Sequence, residues 1–326
     1  MSAPHDGDSP VEVEALTRRY GALTAVSDLS FQVRKGEMFG LIGPDGAGKT
    51  TTLRIILGLL RPHAGRVITC GLEPSRSRRK LSEKIGYLSQ RFSLYGDLSV
   101  DENIAFFGEI HAVAGWRPRR EELLELLRLA PFRDRLADRL SGGMKQKLAL
   151  ACTLIHTPEL IVLDEPTTGV DPVSRRDFWK ILVRLRRQGL TFLLTTPYLD
   201  EAERCEKVAL LDRGRLLALD TPDRLRELPG GSTLELLATP RQQAVEILRL
   251  EPPVTEIETF GERLHLTLQS VPMPEAPAVA ERISRRLDAA GVRIQSLRVT
   301  SPTLEDVFIA KIREARKSNP HQEASA

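Results

Sequence analysis

One short stretch restricts this chain more than any other. The apolar run Met38-Phe39-Gly40-Leu41-Ile42 leads straight into Gly43-Pro44-Asp45-Gly46-Ala47-Gly48-Lys49-Thr50, and a helix-like segment follows from Lys49 to Leu60. A strand, a tight glycine turn and a helix in that order open a βαβ unit. The spacing fits G-x-x-x-x-G-K-[ST], in which glycines let the backbone wrap an anion with its N–H groups pointing inward. The helix start adds the positive end of its dipole. Lys49 is placed to reach β- and γ-phosphates and the Thr50 hydroxyl to ligand Mg²⁺, with Thr51 beside them. A chance glycine turn is the bland reading. A strand before and a helix after are what the phosphate-binding mechanism needs.

A second stretch, Leu160-Ile161-Val162-Leu163-Asp164-Glu165, is apolar throughout and then acidic. Strands covered on both faces read this way, so it belongs with Phe192-Leu193-Leu194 in a parallel sheet under helices. Asp164 is delivered to the carboxyl end of that sheet, where Mg²⁺ is expected, and Glu165 follows in position to accept a proton from an attacking water. Alone, a strand running into two acids is an ordinary solvated turn; beside a phosphate loop it becomes a nucleotidase site. A third stretch, Leu140-Ser141-Gly142-Gly143-Met144-Lys145-Gln146, opens a helix with free backbone donors, a second phosphate cradle on the same chain. Intervening helices hold it away from the first cradle, so it is expected to serve a partner's ATP.

Around these stretches the chain reads as two domains. Alternating apolar positions (Val11, Val13, then Val26, Leu29, Phe31, Val33) predict N-terminal strands, and residues 92–155 carry helical periodicity. Val208–Leu219, centred on Asp212-Arg213-Gly214, predicts a hairpin. The breakers Leu228-Pro229-Gly230-Gly231-Ser232 predict a domain boundary. Beyond it, strands at 234–237, 256–259, 264–268 and 294–299 alternate with helices at 241–250 and 276–290, and a last helix spans 303–316. The expected layout is a flexible tail over 1–10, a main domain over 11–228, a small α+β domain over 233–316 and a disordered tail over 317–326. His265 falls in a strand and reads as a packed or surface histidine.

Bulk properties exclude several partners. The 47 basic residues nearly balance 44 acidic ones, so no nucleic-acid partner is expected. Basic runs such as Arg76–Lys80 read as solvated surface. Cys70, Cys152 and Cys205 lie far apart with no CxxC spacing, which suits reduced thiols in a cytosol. No window approaches the roughly 20 apolar residues of a membrane span, and the polar N-terminus is unlike a secretory signal.

In combination, these motifs resemble the nucleotide-binding subunits of ABC transporters over residues 11 to about 220. The resemblance implies a P-loop NTPase α/β fold: a mainly parallel core sheet, N-terminal antiparallel strands and a helical subdomain, here followed by the small α+β domain. It implies ATP and Mg²⁺ as ligands. Tyr20 resembles the aromatic that stacks on adenine, and Gly43–Thr50 the phosphate loop. Gln90 resembles the glutamine that contacts Mg²⁺ and the lytic water, on a loop that touches the membrane subunit. Ser141–Gln146 resembles the family signature, Asp164 and Glu165 the metal-contacting and catalytic acids, and Gly169-Val170-Asp171 the loop between the two sites. Arg91–Val100, Tyr198–Cys205 and Thr303–Phe308 are similar to drug-exporter ATPases of the daunorubicin-resistance type.

The resemblance further implies a second ATP-binding subunit, identical or not, and an integral membrane permease that holds the chain at the inner face of the cell membrane. Two departures stand out. Asp45 replaces the usual asparagine, and Pro197 stands where the family places a histidine that contacts the γ-phosphate; proline has no donor. The expected function is transport-coupled ATP hydrolysis with Glu165 and Gln90 at its centre. A catalytically weak ATP-binding subunit and a non-transport ABC ATPase stay open as alternatives.

Overall fold

The computed structural model describes residues 9–90, 94–227, 232–268, 271, 274–300 and 302–317. The expected tails therefore lie mostly outside the described residues, as do Arg91–Ser93 and most of the breaker run at 228–232. The chain forms two compact units that divide at Asp220/Thr221.

In the first unit, β1 (Val11–Tyr20), β2 (Leu23–Val33), β3 (Met38–Ile42), α1 (Lys49–Ile56), β4 (Ala64–Thr69), α2 (Arg78–Lys84) and β5 (Ile85–Leu88) come first. Then α3 (Val100–Ile110), α4 (Trp116–Leu126) and α5 (Gly142–Leu154) form the helical region. The unit ends with β6 (Leu160–Asp164), α6 (Pro172–Arg187), β7 (Thr191–Thr196), α7 (Leu199–Ala202), β8 (Lys207–Asp212) and β9 (Arg215–Asp220). The central sheet has the order β5-β6-β7-β3-β8-β9, parallel except for the final β8–β9 hairpin. A second, antiparallel sheet has the order β2-β1-β4. Every residue of β3, β6 and β7 is buried, as uninterrupted apolar runs require in a covered parallel sheet. Phe39, Leu41, Leu53, Ile56, Leu160, Val162 and Leu193 join residues of the smaller sheet, such as Val13 and Phe31, in one core.

Helix ends follow local chemistry. Ser99 and Glu102 form a reciprocal capping box at the start of α3. Asp171 caps α6, accepting from the amides of Val173 at 3.1 Å and Ser174 at 2.9 Å, with Pro172 in the first turn. Such caps contribute on the order of 1 kcal/mol each. Arg184, Arg186 and Arg187 close α6 at its negative dipole end.

The second unit comprises α8 (Pro222–Glu227), β10 (Ser232–Thr239), α9 (Arg241–Leu248), β11 (Val254–Phe260), β12 (Arg263–Leu268), α10 (Ala276–Ala289), β13 (Arg293–Thr300) and α11 (Leu304–Lys317). Its antiparallel sheet has the order β11-β12-β10-β13. Leu234, Leu236, Leu264, Leu266 and Leu268 alternate inward against Leu248, Ile283 and Leu287 of the helices. α8 packs on α11, so it belongs to this unit, and the division precedes the expected break at 228–233. Arg313 of α11 forms ion pairs with Glu256 and Glu258 of β11. His265 is mostly buried in β12, with Nε2 3.6 Å from Glu235 Oε2.

Candidate nucleotide site

The glycine loop leaves the carboxyl end of β3 and its backbone fixes its shape. Gly48, the N-cap of α1, has φ +95°, and a Cβ there would lie 2.4 Å from the Ala25 carbonyl oxygen. Gly43 has no room either, since a Cβ would meet the Leu211 carbonyl oxygen at 2.2 Å. The loop is thus wedged between β2 and the β8–β9 hairpin, whose Gly214 amide donates to the Ala47 carbonyl at 3.1 Å. No acidic residue of α1 itself occupies its first turn, so the helix's own side chains do not compete for its amide donors and dipole. Asp45, Pro44 and Gly46 are exposed on the crest, so the Asp45 carboxylate is not driven into the loop's interior.

Five of the residues expected from the sequence converge beside this loop. Lys49 is 4% exposed; its Nζ donates to the carbonyls of Gly43 at 2.8 Å and Pro44 at 3.0 Å and lies 3.1 Å from Glu165 Oε1. The Thr50 hydroxyl donates to Asp164 Oδ1 at 3.2 Å. Gln90 Nε2 donates to Glu165 Oε2 at 2.9 Å, and Thr168 Oγ1 stands 3.5 Å from the same oxygen. Asp164 and Glu165 are both buried. Glu165 takes φ +49°, a left-handed conformation that costs a side-chain-bearing residue about 1 kcal/mol or more. Such strain persists where surrounding bonds over-determine it.

The donor set fits magnesium. A serine-like hydroxyl, a carboxylate and a nearby amide are hard oxygen ligands, and magnesium keeps most of its shell for water and phosphate. Among the described residues no group of three or more His, Cys, Asp or Glu could hold a metal ion by itself. The charge balance points the same way: two buried carboxylates against one ammonium leave room for a cation that arrives with an anion. Asp164 also acts on its neighbourhood. Tyr87 in β5 has its phenol pushed up to about 12, first by burial and then by the Asp164 charge.

The other expected residues lie apart from this cluster. Tyr20 ends β1, 42% exposed, with the Arg18 guanidinium 5.0 Å from its ring centroid, so one apolar face is covered by a cation. Ser141 caps α5, its Oγ 3.4 Å from the Met144 amide, and α5 contacts α3, α4, α6 and β5. Ser141 and Gly142 are exposed. Gly143 is buried because α6 crowds it; a Cβ would meet the Ser174 side chain at 2.3 Å. Gln146 is buried inside its own chain, unlike the exposed start of the cradle. Thr51 follows Thr50 in the first turn of α1. Gly169 has φ +76° and leads to Asp171, whose carboxyl sits below its usual range because it accepts from Ser174.

The sequence did not single out two contributing residues, Thr195 and Glu201, nor one contact between expected residues. The Thr195 hydroxyl donates to Asp164 Oδ1 at 2.7 Å and accepts from the Glu165 amide at 3.0 Å. Glu201, fully buried, accepts from Thr167 at 2.5 Å and Thr196 at 2.7 Å, with Arg175 Nε 3.4 Å away. Lys49 and Glu165 form an ion pair. One signal was available: Thr195 and Thr196 are polar residues ending an otherwise apolar strand beside an acid-ending one. Pro197, which follows them, is half-buried.

With this geometry in view, comparison with known proteins is direct. The ABC transporter family pattern matches residues 26–168, and that of the C-terminal domain of DrrA1-3-like ATP-binding proteins matches 221–312. The chain is 41% identical over 223 residues to the probable multidrug ABC transporter ATP-binding protein YbhF of Escherichia coli, covering 68% of this chain but only 38% of that protein. It is 35% identical to the daunorubicin resistance ATP-binding protein DrrA2 of Streptomyces coeruleorubidus, covering 92% of this chain and 94% of the relative. The Nod factor export ATP-binding protein I of Ralstonia nicotianae is 40% identical over 80% of this chain and 82% of its own. A solved ATP-binding subunit of an ABC transporter superposes with TM-score 0.61 at 30% identity, covering 67% of this chain and 92% of its own. The chain belongs to the ABC transporter ATP-binding proteins and carries a DrrA-like C-terminal domain. It is therefore of the ATPase class, and no described helix is long and apolar enough to cross a membrane.

Proposed function

We propose that this chain is the ATP-hydrolysing subunit of an exporter, and that it couples ATP-driven closure of a pair of such subunits to a separate membrane permease. The observation that carries the reading is the meeting of Lys49, Thr50, Gln90, Asp164 and Glu165 at one end of the sheet, below a loop only glycine can form. On binding, the amides of Gly43–Thr51 cradle the phosphates, and Lys49 exchanges its carbonyl and Glu165 bonds for phosphate oxygens. Tyr20 stacks on adenine with its uncovered face. Thr50, Asp164 and the Gln90 amide oxygen would hold Mg²⁺, which would supply neutralisation of phosphate charge. Glu165, released from Lys49, accepts the proton of a water that Gln90 orients. Ser141, Gly142 and Gly143 of a second chain, identical or related, close over the γ-phosphate, with Gln146 supporting that loop from within.

The loop from Gln90 to Asp101 passes the motion to the permease, which places the chain at the cytoplasmic face of the membrane and selects the cargo. The printed names of the relatives, drug-resistance and export proteins, support export. One observation favours a second reading: Pro197 brings no donor to the γ-phosphate side, which suits a weak hydrolase that supports an active partner. Phosphate release by the wild type, Glu165→Gln and Pro197→His separates them. The leading reading expects magnesium-dependent turnover that falls by about 100-fold or more in Glu165→Gln and changes little in Pro197→His, whereas a weak hydrolase gains turnover in Pro197→His. Turnover that Glu165→Gln leaves intact overturns the assignment of the base; fast wild-type turnover unmoved by Pro197→His overturns the weak-hydrolase reading.

A further inference from the structure

We infer that Thr195 is a positioning residue that sets the metal-side acid and the proton-accepting acid together, through one hydroxyl. The inference rests on the roles proposed above for Asp164 and Glu165. Its observations are separate from them.

In the parallel register Thr195 stands directly beside Asp164, on the strand next to it. Its side chain is fully buried. The hydroxyl has a single proton, and Asp164 Oδ1, 2.7 Å away, can only accept it. The lone pairs that remain accept from the Glu165 amide at 3.0 Å. Both directions of the bond pattern are thus determined by chemistry rather than by choice of rotor. The Glu165 amide is also 3.1 Å from the Thr195 carbonyl, so one residue supplies two acceptors for it.

These bonds matter because of what they hold. Asp164 Oδ1 accepts from both Thr195 and Thr50, and the Thr195 contact is the shorter, 2.7 against 3.2 Å. The carboxylate facing the metal position is therefore oriented from β7 as well as from the helix that grips the phosphates. Glu165 has φ +49°, and the doubly accepted amide is what keeps its backbone turned that way. A displacement near 1 Å in either acid lowers rate on the order of 100-fold. The end of β7 is itself braced, since Thr196 donates to the buried Glu201 carboxylate, which also takes the Thr167 hydroxyl two residues beyond Glu165. The Thr196 hydroxyl is spent on Glu201, and at this end of β7 it is the Thr195 hydroxyl that bonds to Asp164 and to the Glu165 amide.

Thr195→Val keeps the shape and removes the hydroxyl, Thr195→Ala removes it with less bulk, and Thr195→Ser keeps it. The full-length chain is tested by binding of a fluorescent ATP analogue with and without magnesium, by phosphate release and by thermal melting, with Glu165→Gln in parallel. Expected for Val and Ala is magnesium-free affinity within about 2-fold of wild type, a magnesium-dependent gain reduced several-fold, and turnover down about 100-fold. Thr195→Ser restores the magnesium gain and most of the turnover. Val and Ala variants that keep the wild-type magnesium response and turnover, while Glu165→Gln abolishes turnover, overturn the inference and leave the base assignment standing. Loss of magnesium-free binding in step with melting also overturns it, since Thr195 then serves only the fold. Wild-type turnover in Glu165→Gln defeats the base assignment instead, and the magnesium response of the Thr195 variants still decides the Asp164 half.

Discussion

Asn103 offers a quantitative test of how the loop after Gln90 is held. It is fully buried in the first turn of α3 and spends all its hydrogen-bonding capacity on residues 95–99. Its Nδ2 lies 3.0 Å from the Tyr95 carbonyl, 3.1 Å from that of Leu98 and 2.9 Å from that of Ser99, while Oδ1 accepts from the Tyr95 amide at 3.0 Å. Asn103→Ala removes two N–H donors shared among three carbonyls, each of which keeps a backbone donor, and takes the side-chain acceptor from the Tyr95 amide. Each hydrogen bond is worth about 1 kcal/mol net, and groups left buried without a partner cost more. Tyr95 is 46% exposed, so water can reach part of the loop and relieve some of the loss. A destabilisation of about 3 kcal/mol is expected. Asn103→Asp is at least as costly, because it sets a carboxylate against three carbonyls. Urea unfolding followed by tryptophan fluorescence reads this cleanly, since the only two tryptophans, Trp116 and Trp179, both lie in the first unit. A midpoint shift equivalent to less than about 0.5 kcal/mol for both variants refutes the clamp.

Two further outcomes follow from local geometry. Gly48→Ala forces φ +95° on alanine and a Cβ into the Ala25 carbonyl, whereas Gly46→Ala meets only the φ +79° penalty in open space. Melting should therefore show about 1 kcal/mol lost for Gly46→Ala and severalfold more for Gly48→Ala, with equal losses contradicting the wedged loop. His156 stacks on His111 at 4.1 Å, and burial, then the His111 charge, lowers its ring to about 4. The neutral ring is favoured in the fold, so the unfolded chain takes up a proton first as pH falls. Stability is then full above about 6.5 and declines toward pH 4, by about 2 kcal/mol once partial solvent screening is allowed for. His156→Gln should flatten that part of the pH–stability curve, and an unchanged slope contradicts the assignment.

What the sequence made legible is what short-range chemistry determines. The run Leu160–Leu163 reads as a covered strand, and residues 38–60 as a strand, a tight glycine turn and a helix, because neighbouring residues decide each of them. Asp212-Arg213-Gly214 likewise required a hairpin. The contact between Thr195 and Asp164 depends on which strands neighbour each other and in what register, and no local pattern encodes that order. Glu201 reads as one more acid in Asp200-Glu201-Ala202-Glu203, yet it is the one turned inward onto Thr167 and Thr196. The division at Asp220/Thr221 depends on packing in a similar way: a breaker run is a local signal, while α8 is assigned by its packing on α11.

The claim that two half-sites on two chains make one nucleotide site is tested most directly by the mass of the Glu165→Gln protein in sedimentation, with and without ATP and magnesium. The account predicts that ATP doubles the mass, with one nucleotide held per chain, and that Ser141→Arg, which fills the exposed cradle, abolishes the doubling while leaving nucleotide binding intact. A protein that binds ATP through Lys49 yet keeps a single-chain mass at every concentration tested contradicts it.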